Sequence, residues 1–344
     1  MKALKTLSSP ELEKDIVSAG CVKNLKIKQG KVSFDLAVPS PNSPAMEDLK
    51  TEAKALVEQL EGIDEVSVSL TTGQRPQSKG PDPWAGRAPI PGVKKIVAVA
   101  SGKGGVGKST VAVNLASALA ASGIKTGLLD ADIYGPSVAM MMGIPQGERP
   151  EVHDNKVVPI ERYEVHTISV AFLLSESNTP VIWRGPMVGK LLKQLLTDVH
   201  WGELDVIVVD LPPGTGDAQL TLIQSVPISG SVIVTTPQKL AAMDATRGIE
   251  MFRKLQVPVI GIVENMSRFV APDGKTTFEV FPHDGIKEVE KSYNVPKLAS
   301  VPIQSSVAEQ GDGGLPEVLA NPKSLASLEF KEMARKVAEA VDLS

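Results

Sequence analysis

From residue 93 onward the chain alternates short, almost continuous apolar runs with longer stretches of helical periodicity. The runs Lys95–Ala100, Lys125–Leu129, Val206–Val209, Val232–Val234 and Val257–Val263 are rich in Val, Ile and Leu. They lack the in-out alternation of a sheet with one wet face. Strands read this way when both faces of a sheet are covered, and the helical segments between them supply the cover. The pattern predicts a doubly wound, mostly parallel α/β sheet over residues 93–344. Two amphipathic helices accompany it. One opens at Trp183–Met187 and carries Leu191, Leu192, Leu195 and Leu196, and the other is the last helix, Leu325–Val341.

Residues 1–75 keep a different rhythm. Leu12, Ile16 and Val17 recur at helical spacing over Pro10–Ala19. Leu25 and Ile27, then Val32, Phe34 and Leu36, alternate with polar residues on either side of Gln29-Gly30, which reads as two strands and a tight turn. A helix over Met46–Leu60 and a strand over Val66–Leu70 complete a small α+β domain of order α-β-β-α-β. Residues 76–92 come next, with Pro76, Pro81, Pro83, Pro89, Pro91 and almost no periodicity. Such a stretch reads as a semi-extended linker, in which Trp84 is the unusual residue.

At 344 residues two domains are the natural division, and 42% hydrophobic with 22% charged residues is ordinary for a globular chain. A net charge of -4 argues against a protein that wraps nucleic acid or coats an anionic membrane. No apolar stretch reaches the length of a membrane span and the N-terminus lacks the apolar core of a signal peptide, so the expectation is a cytoplasmic protein. Cys21 is the single cysteine; placed before a strand, it reads as a small core residue.

The candidate chemistry gathers at the ends of the apolar runs, where ligands bind in sheets of this kind. Ser101–Thr110 reads SGKGGVGKST between a strand and a helix. Gly102, Gly104, Gly105 and Gly107 let the backbone curl with its N–H groups inward, and together with Lys103, Val106 and Thr110 they form the loop of a phosphate cradle. Lys108 supplies a cation and Ser109 a hydroxyl for Mg²⁺. Asp130 and Asp132 follow the second run, where one carboxylate suits a place near the metal and the other a place near an attacking water. Asp210 closes the third run, matches the acid that orients a metal's water shell, and leads into Pro212-Pro213-Gly214-Thr215-Gly216, a turn offering N–H groups such as that of Gly214 to a terminal phosphate. No set of histidines has the spacing of a relay or a metal site.

Lys103 directly precedes the paired glycines in KGGVGKS, which resembles the deviant Walker A loop of the ATPases that include ParA, MinD and nitrogenase iron protein. That resemblance implies a homodimer in which Lys103 reaches the nucleotide of the partner. The phrases LLDADIYGPS, RGPM, DVIVVDLPPGTGD, TTPQ and VPVIGIVENMS are similar to the Mrp/ApbC branch, the iron-sulfur cluster carriers. In the first domain, PELEKDIVSAGCVKNLKI and LAVPSPNSP resemble the MIP18-type (DUF59) assembly domain. Membership of that branch implies an Mg-dependent, slow ATPase serving apo iron-sulfur clients. Lys103, Lys108 and Asp132 would be its catalytic residues, and Ser109, Asp130 and Asp210 would hold Mg. Asn265 would read the adenine. The sequence departs from these relatives in its thiols. Ser43 stands where the first domain usually carries a cysteine, and Val270–Gly274 contains no C-x-x-C pair, so no iron-sulfur ligands are assigned. The alternative is a nucleotide-switched positioning or adaptor ATPase of the ParA or MinD kind, without such cargo.

Overall fold

The computed structural model describes residues 3–7, 15–17, 21–28, 30–38, 44–60, 62–63, 65–72, 87–133, 135–173, 185–271, 276–281 and 284–343. These divide into two compact units, Met1–Asp82 and Pro83–Ser344. Trp84, Ser43, Trp183 and most of the helix expected over Pro10–Ala19 lie outside the described residues; Ile16 and Val17, which are described, form a turn.

In the first unit, strands β1 (Val22–Lys28) and β2 (Lys31–Val38) pair antiparallel. Gly30, at a φ of 79°, supplies the left-handed residue between them. Helix α1 (Pro44–Glu58) then crosses over, and β3 (Glu65–Thr72) returns parallel to β2 in continuous register from Lys31↔Glu65 to Val38↔Thr72. The alternation seen in the sequence sets the core: Val32, Phe34 and Leu36 face Met46, Leu49 and Ala53 of α1. Cys21 lies in that same cluster, where burial pushes its thiol pKa up against the opposing pull of Lys23.

The second unit is built on a sheet of eight strands. In chain order these are β4 (Val93–Ser101), β5 (Thr126–Asp130), β8 (Ile160–Arg162), β9 (Val165–Ser169), β10 (Leu204–Asp210), β11 (Gly230–Thr235), β12 (Val259–Glu264) and β15 (Lys297–Ser300). Between them lie two short hairpins: β6 (Val152–His153) with β7 (Lys156–Val157), and β13 (Phe269–Val270) with β14 (Thr277–Phe278). The spatial order is β15-β12-β11-β4-β10-β5-β9-β8, parallel throughout except for β8 against β9. All five expected runs fall within or overlap sheet strands. Strands β8, β9 and β15 lengthen both ends of the sheet beyond the sequence reading.

Side chains of β4 alternate between two cores. Ile96, Ala98 and Ala100 face a layer holding helices α4 (Gly185–Thr197), α5 (Asp217–Ser225), α6 (Lys239–Lys254) and α7 (Asp284–Tyr293). Val97 and Val99 face α2 (Lys108–Ala121), α3 (Val138–Met141) and α10 (Leu325–Ala340), while α8 (Ser305–Asp312) and α9 (Glu317–Ala320) connect β15 to α10. Ser324 caps α10 by accepting the Ser327 N–H. Residues 87–92, at the end of the expected linker, lie on this unit: the Ala88 N–H donates to Ser225 O at 3.2 Å and Ile90 is buried in the core.

With both faces covered, the strands are apolar until their carboxyl ends. There they close on Ser101, Asp130, Ser169, Asp210, Thr235 and Glu264, all nearly or fully buried. The functional polar groups therefore share one edge of the sheet, placed there by topology rather than by neighbourhood in sequence.

Candidate functional site

The loop after β4 is shaped by two close approaches. A β-carbon on Gly102 would meet Asp244 O of α6 at 2.2 Å, and one on Gly107 would meet Asn265 Nδ2 at 2.1 Å. Gly105 and Gly107 also take φ values of 78° and 80°, the left-handed region glycine tolerates. α2 then starts at Lys108, with its N–H groups and positive dipole end at the loop. Gly104, Gly105, Gly107, Lys108, Ser109 and Thr110 line a cavity of about 550 Å³.

Lys108 is nearly buried, and its Nζ donates to Asp210 Oδ1 at 2.5 Å and stands 3.5 Å from Asp132 Oδ2. Ser109 Oγ donates to Asp210 Oδ2 at 2.5 Å. Strand register explains the meeting: Asp210 pairs with Asp130 on one side and Val99 on the other, so the ends of β10, β5 and β4 are adjacent. A hydroxyl and a carboxylate held together are hard oxygen donors and fit Mg²⁺. Burial pushes the pKa of Asp210 up, opposed by the Lys108 ammonium and the Ser109 hydroxyl.

Two expected contacts, those of Asp130 and Gly214, are placed differently from the sequence reading, and the surroundings of Asn265 and Lys103 add to it. Asp130 is fully buried and does not line the cavity; it accepts from the Asp132 N–H at 3.1 Å, the Val138 N–H at 3.3 Å and Ser169 Oγ at 2.9 Å. Its role is to hold the loop between β5 and α3. Burial, and next the nearby Asp210 carboxylate, push its pKa to about 7, with Ser169, Asp132 N–H and Lys108 pulling the other way. The Gly214 N–H donates to Ser101 O at 3.0 Å, so this donor joins the turn to the loop instead of facing the cavity. Asn265 does line the cavity, and its Nδ2 donates to Val106 O at 2.9 Å, which ties β12 to the loop. Lys103 is half-buried and does not line this cavity; among the described residues its ammonium has no hydrogen bond or ion pair.

The wall opposite the loop was not found from the sequence. Pro302, Ile303, Gln304, Val307 and Asp312 supply it, from the segment after β15 and from α8, with Met140 of α3 beside them. A second buried group also went unnoticed: Gln219, 1% exposed, donates from Nε2 to Pro212 O. Neither carries a motif. A glutamine in the first turn of a helix looks like surface, and the wall follows a strand of four residues.

Sheet order, glycine loop and the Lys108–Asp210–Ser109 cluster define a P-loop nucleotide-binding protein of the doubly wound α/β class. The family model described as "ParA: NUBPL iron-transfer P-loop NTPase" matches residues 92–338, and the chain belongs to that family. Residues 1–70 match the model described as "Iron-sulfur cluster assembly protein". The iron-sulfur cluster carrier protein of Deinococcus radiodurans is 43% identical over 98% of this chain and 93% of its own length. The ADP-bound nucleotide-binding protein from Archaeoglobus fulgidus is 36% identical, with a TM-score of 0.59 over 66% of this chain and 89% of that one. The cell division ATPase MinD of Pyrococcus furiosus shares the fold at 23% identity, with a TM-score of 0.54 over 71% of this chain and 98% of its own. No helix among the described residues is long and apolar enough to cross a membrane.

Proposed function

We propose that this chain is a homodimeric, Mg-dependent ATPase that assists iron-sulfur cluster assembly on apo client proteins. The observation that carries the reading is the buried contact of Lys108 and Ser109 with Asp210 beneath the glycine loop. Lys108 neutralises the β- and γ-phosphates of ATP. Ser109 and Asp210 hold Mg²⁺, which when bound neutralises charge on the transferring phosphoryl group. Asp132, on the cavity wall and 3.5 Å from Lys108, orients the attacking water. Asp130 serves from behind, by fixing the loop that carries Asp132. Asn265 keeps the loop in place and borders the base end of the cavity. Lys103 completes the site of the other subunit.

The iron-sulfur part of the reading rests on the family and on the names of relatives. Thiol chemistry limits its form. Clusters are held chiefly by cysteine thiolates, this chain has one cysteine, and that cysteine is buried in the core of the first unit. The cluster's thiolates therefore come from the donor or client protein, and this chain supplies the nucleotide-driven step.

Two measurements test the proposal. Saturating Mg-ATP at 100 times its dissociation constant stabilises the fold by about 2.7 kcal/mol, so a clear rise in melting temperature and Mg-dependent phosphate release are expected. No thermal shift would sink the nucleotide reading. Anaerobic incubation with iron and sulfide is expected to leave no stable visible chromophore on the chain alone, while cluster transfer between donor and client proteins accelerates when the chain and ATP are present. No acceleration would leave a positioning or adaptor ATPase as the better reading.

A further inference from the structure

Beyond the nucleotide cavity, the carboxyl edge of the sheet holds a second, smaller cavity of about 230 Å³ at the ends of β12 and β15. Its floor includes Ile286 of α7, and its polar lining is Glu264, Arg268, Glu279, Lys287, Lys297 and Ser300. Glu264 is buried, and its charge is answered within the wall: Oε2 accepts from Lys297 Nζ at 3.2 Å and from Ser300 Oγ at 2.7 Å. Arg268 and Lys287 are different. Neither has a hydrogen bond or ion pair through its side chain among the described residues, although Glu279 lines the same cavity. Among the described residues the lining carries three cations and two carboxylates; Lys297 is paired with Glu264, which leaves Arg268 and Lys287 in excess over Glu279.

Like charges converging on one small space repel, and the repulsion is relieved by an anion between them. We propose that this cavity is a second ligand site, distinct from the nucleotide site, that takes a compact multivalent oxyanion. Arg268 provides a planar fork suited to two oxygens of a phosphate or carboxylate, and Lys287 provides a point charge. The size sets the class. At about 230 Å³ the cavity is less than half the size of the nucleotide cavity of about 550 Å³, which suits inorganic phosphate or a citrate-sized polycarboxylate better than a whole nucleotide. The site depends on groups after β12, at β15 and on α7, none of them in the glycine loop, and stands whether or not the nucleotide reading holds.

The test is calorimetric titration of inorganic phosphate, and separately of citrate, into the full chain in a chloride buffer of low ionic strength, without nucleotide and again with saturating Mg-AMP-PNP. With Mg-AMP-PNP filling the nucleotide cradle, one oxyanion per chain is expected to bind; without nucleotide the glycine loop adds its own affinity for phosphate, so the second site is read with the cradle occupied. Arg268→Ala and Lys287→Ala should each weaken it by about tenfold, a loss of the size found for one charge-assisted contact. The double variant should abolish it, while Arg268→Lys should retain part of it. Neither side chain makes a hydrogen bond or ion pair among the described residues, so AMP-PNP affinity and melting temperature are expected to stay unchanged and serve as controls. Binding of phosphate alone or citrate alone upholds the site and identifies the ligand. No heat from either anion in the presence of Mg-AMP-PNP, or equal affinity in the double variant, overturns it.

Discussion

Asn265 Nδ2 stands where a side chain on residue 107 would begin, 2.1 Å from the position a β-carbon would take there. The same nitrogen donates to Val106 O. The end of β12 thus presses on the glycine loop at a position that has no side chain, and the loop's curvature depends on both residues. Gly107→Ala is expected to cost about 1–2 kcal/mol in left-handed backbone strain, plus the displacement of Asn265, and to weaken nucleotide binding by at least tenfold. Asn265→Ala alone should cost about 1 kcal/mol, the usual net value of a hydrogen bond. Because the first substitution already displaces Asn265, the double variant should bind better than the sum of the two losses predicts. Titration of Mg-ADP into all four proteins closes the cycle. Strict additivity would show that the close approach does not govern the loop.

The buried Asp130 makes stability depend on pH with a defined sign. Its folded-state pKa is raised from 3.8 to about 7, so between those values the folded chain keeps a proton that the unfolded chain releases. Stability therefore falls as pH rises from about 4 to about 7 and levels off above that. At about 1.36 kcal/mol per pKa unit, the whole fall is at most about 4 kcal/mol, with the opposing pull of the Lys108 ammonium already included. Asp130→Asn removes the titration, at the cost of an acceptor for one of the three donors that Asp130 serves. Urea unfolding of both proteins without nucleotide, at pH 5 and pH 8, is expected to show a smaller pH dependence in the variant. Equal dependence would place the titrating group elsewhere.

Gln219 is expected to act on the turn rather than on the nucleotide. Its Nε2 donates to Pro212 O, two residues beyond the Asp210 that touches Lys108 and Ser109, while its Oε1 is buried without a hydrogen bond among the described residues. Gln219→Leu keeps the volume and releases the Pro212 carbonyl. Loosening of the turn by a fraction of an ångström should lower kcat by about tenfold to a hundredfold, with Mg-ADP affinity changed by less than threefold. A parallel loss of ADP affinity and kcat would instead make Gln219 a support of the whole cradle.

Much of this was legible in the chain because chemistry-bearing residues sit at the ends of apolar runs, and the topology then lines those ends up. Lys108, Ser109, Asp132 and Asp210 belong to three separate stretches, yet each comes after a run recognisable by its Val, Ile and Leu content. The features that escaped depended on pairing between distant segments. That the Gly214 N–H is taken by Ser101 O follows from the adjacency of β4 and β10, which no local pattern states. Asp130 and Asp132 are two residues apart at one strand end, and only the packing of Ser169 and Val138 behind the first decides which faces the cavity. The wall at Pro302–Asp312 comes after Lys297–Ser300, whose two inward apolar residues are too few to read as a strand.

Lys103 carries the last prediction, because its position fits service to a neighbour better than service to its own site. It belongs to the glycine loop, yet it does not line the cavity that the loop builds, and its ammonium has no partner among the described residues. If it completes the nucleotide site of a second subunit, Lys103→Ala should leave Mg-ADP affinity within about threefold while lowering kcat by about 10³ or more, the range of a charge supplied in trans, about 4–7 kcal/mol of barrier. Mixing separates this from a role within one chain. A Lys108→Ala subunit has no working cradle but still carries Lys103, and a Lys103→Ala subunit has the reverse. Each homodimer should be inactive, and an equimolar mixture should recover about a quarter of wild-type activity, since half the two-fold dimers are mixed and each holds one complete site. Steady-state phosphate release across a mixing series gives the answer. Recovery at that level establishes the shared site; no recovery, with both variants still dimeric by light scattering, would confine Lys103 to its own chain.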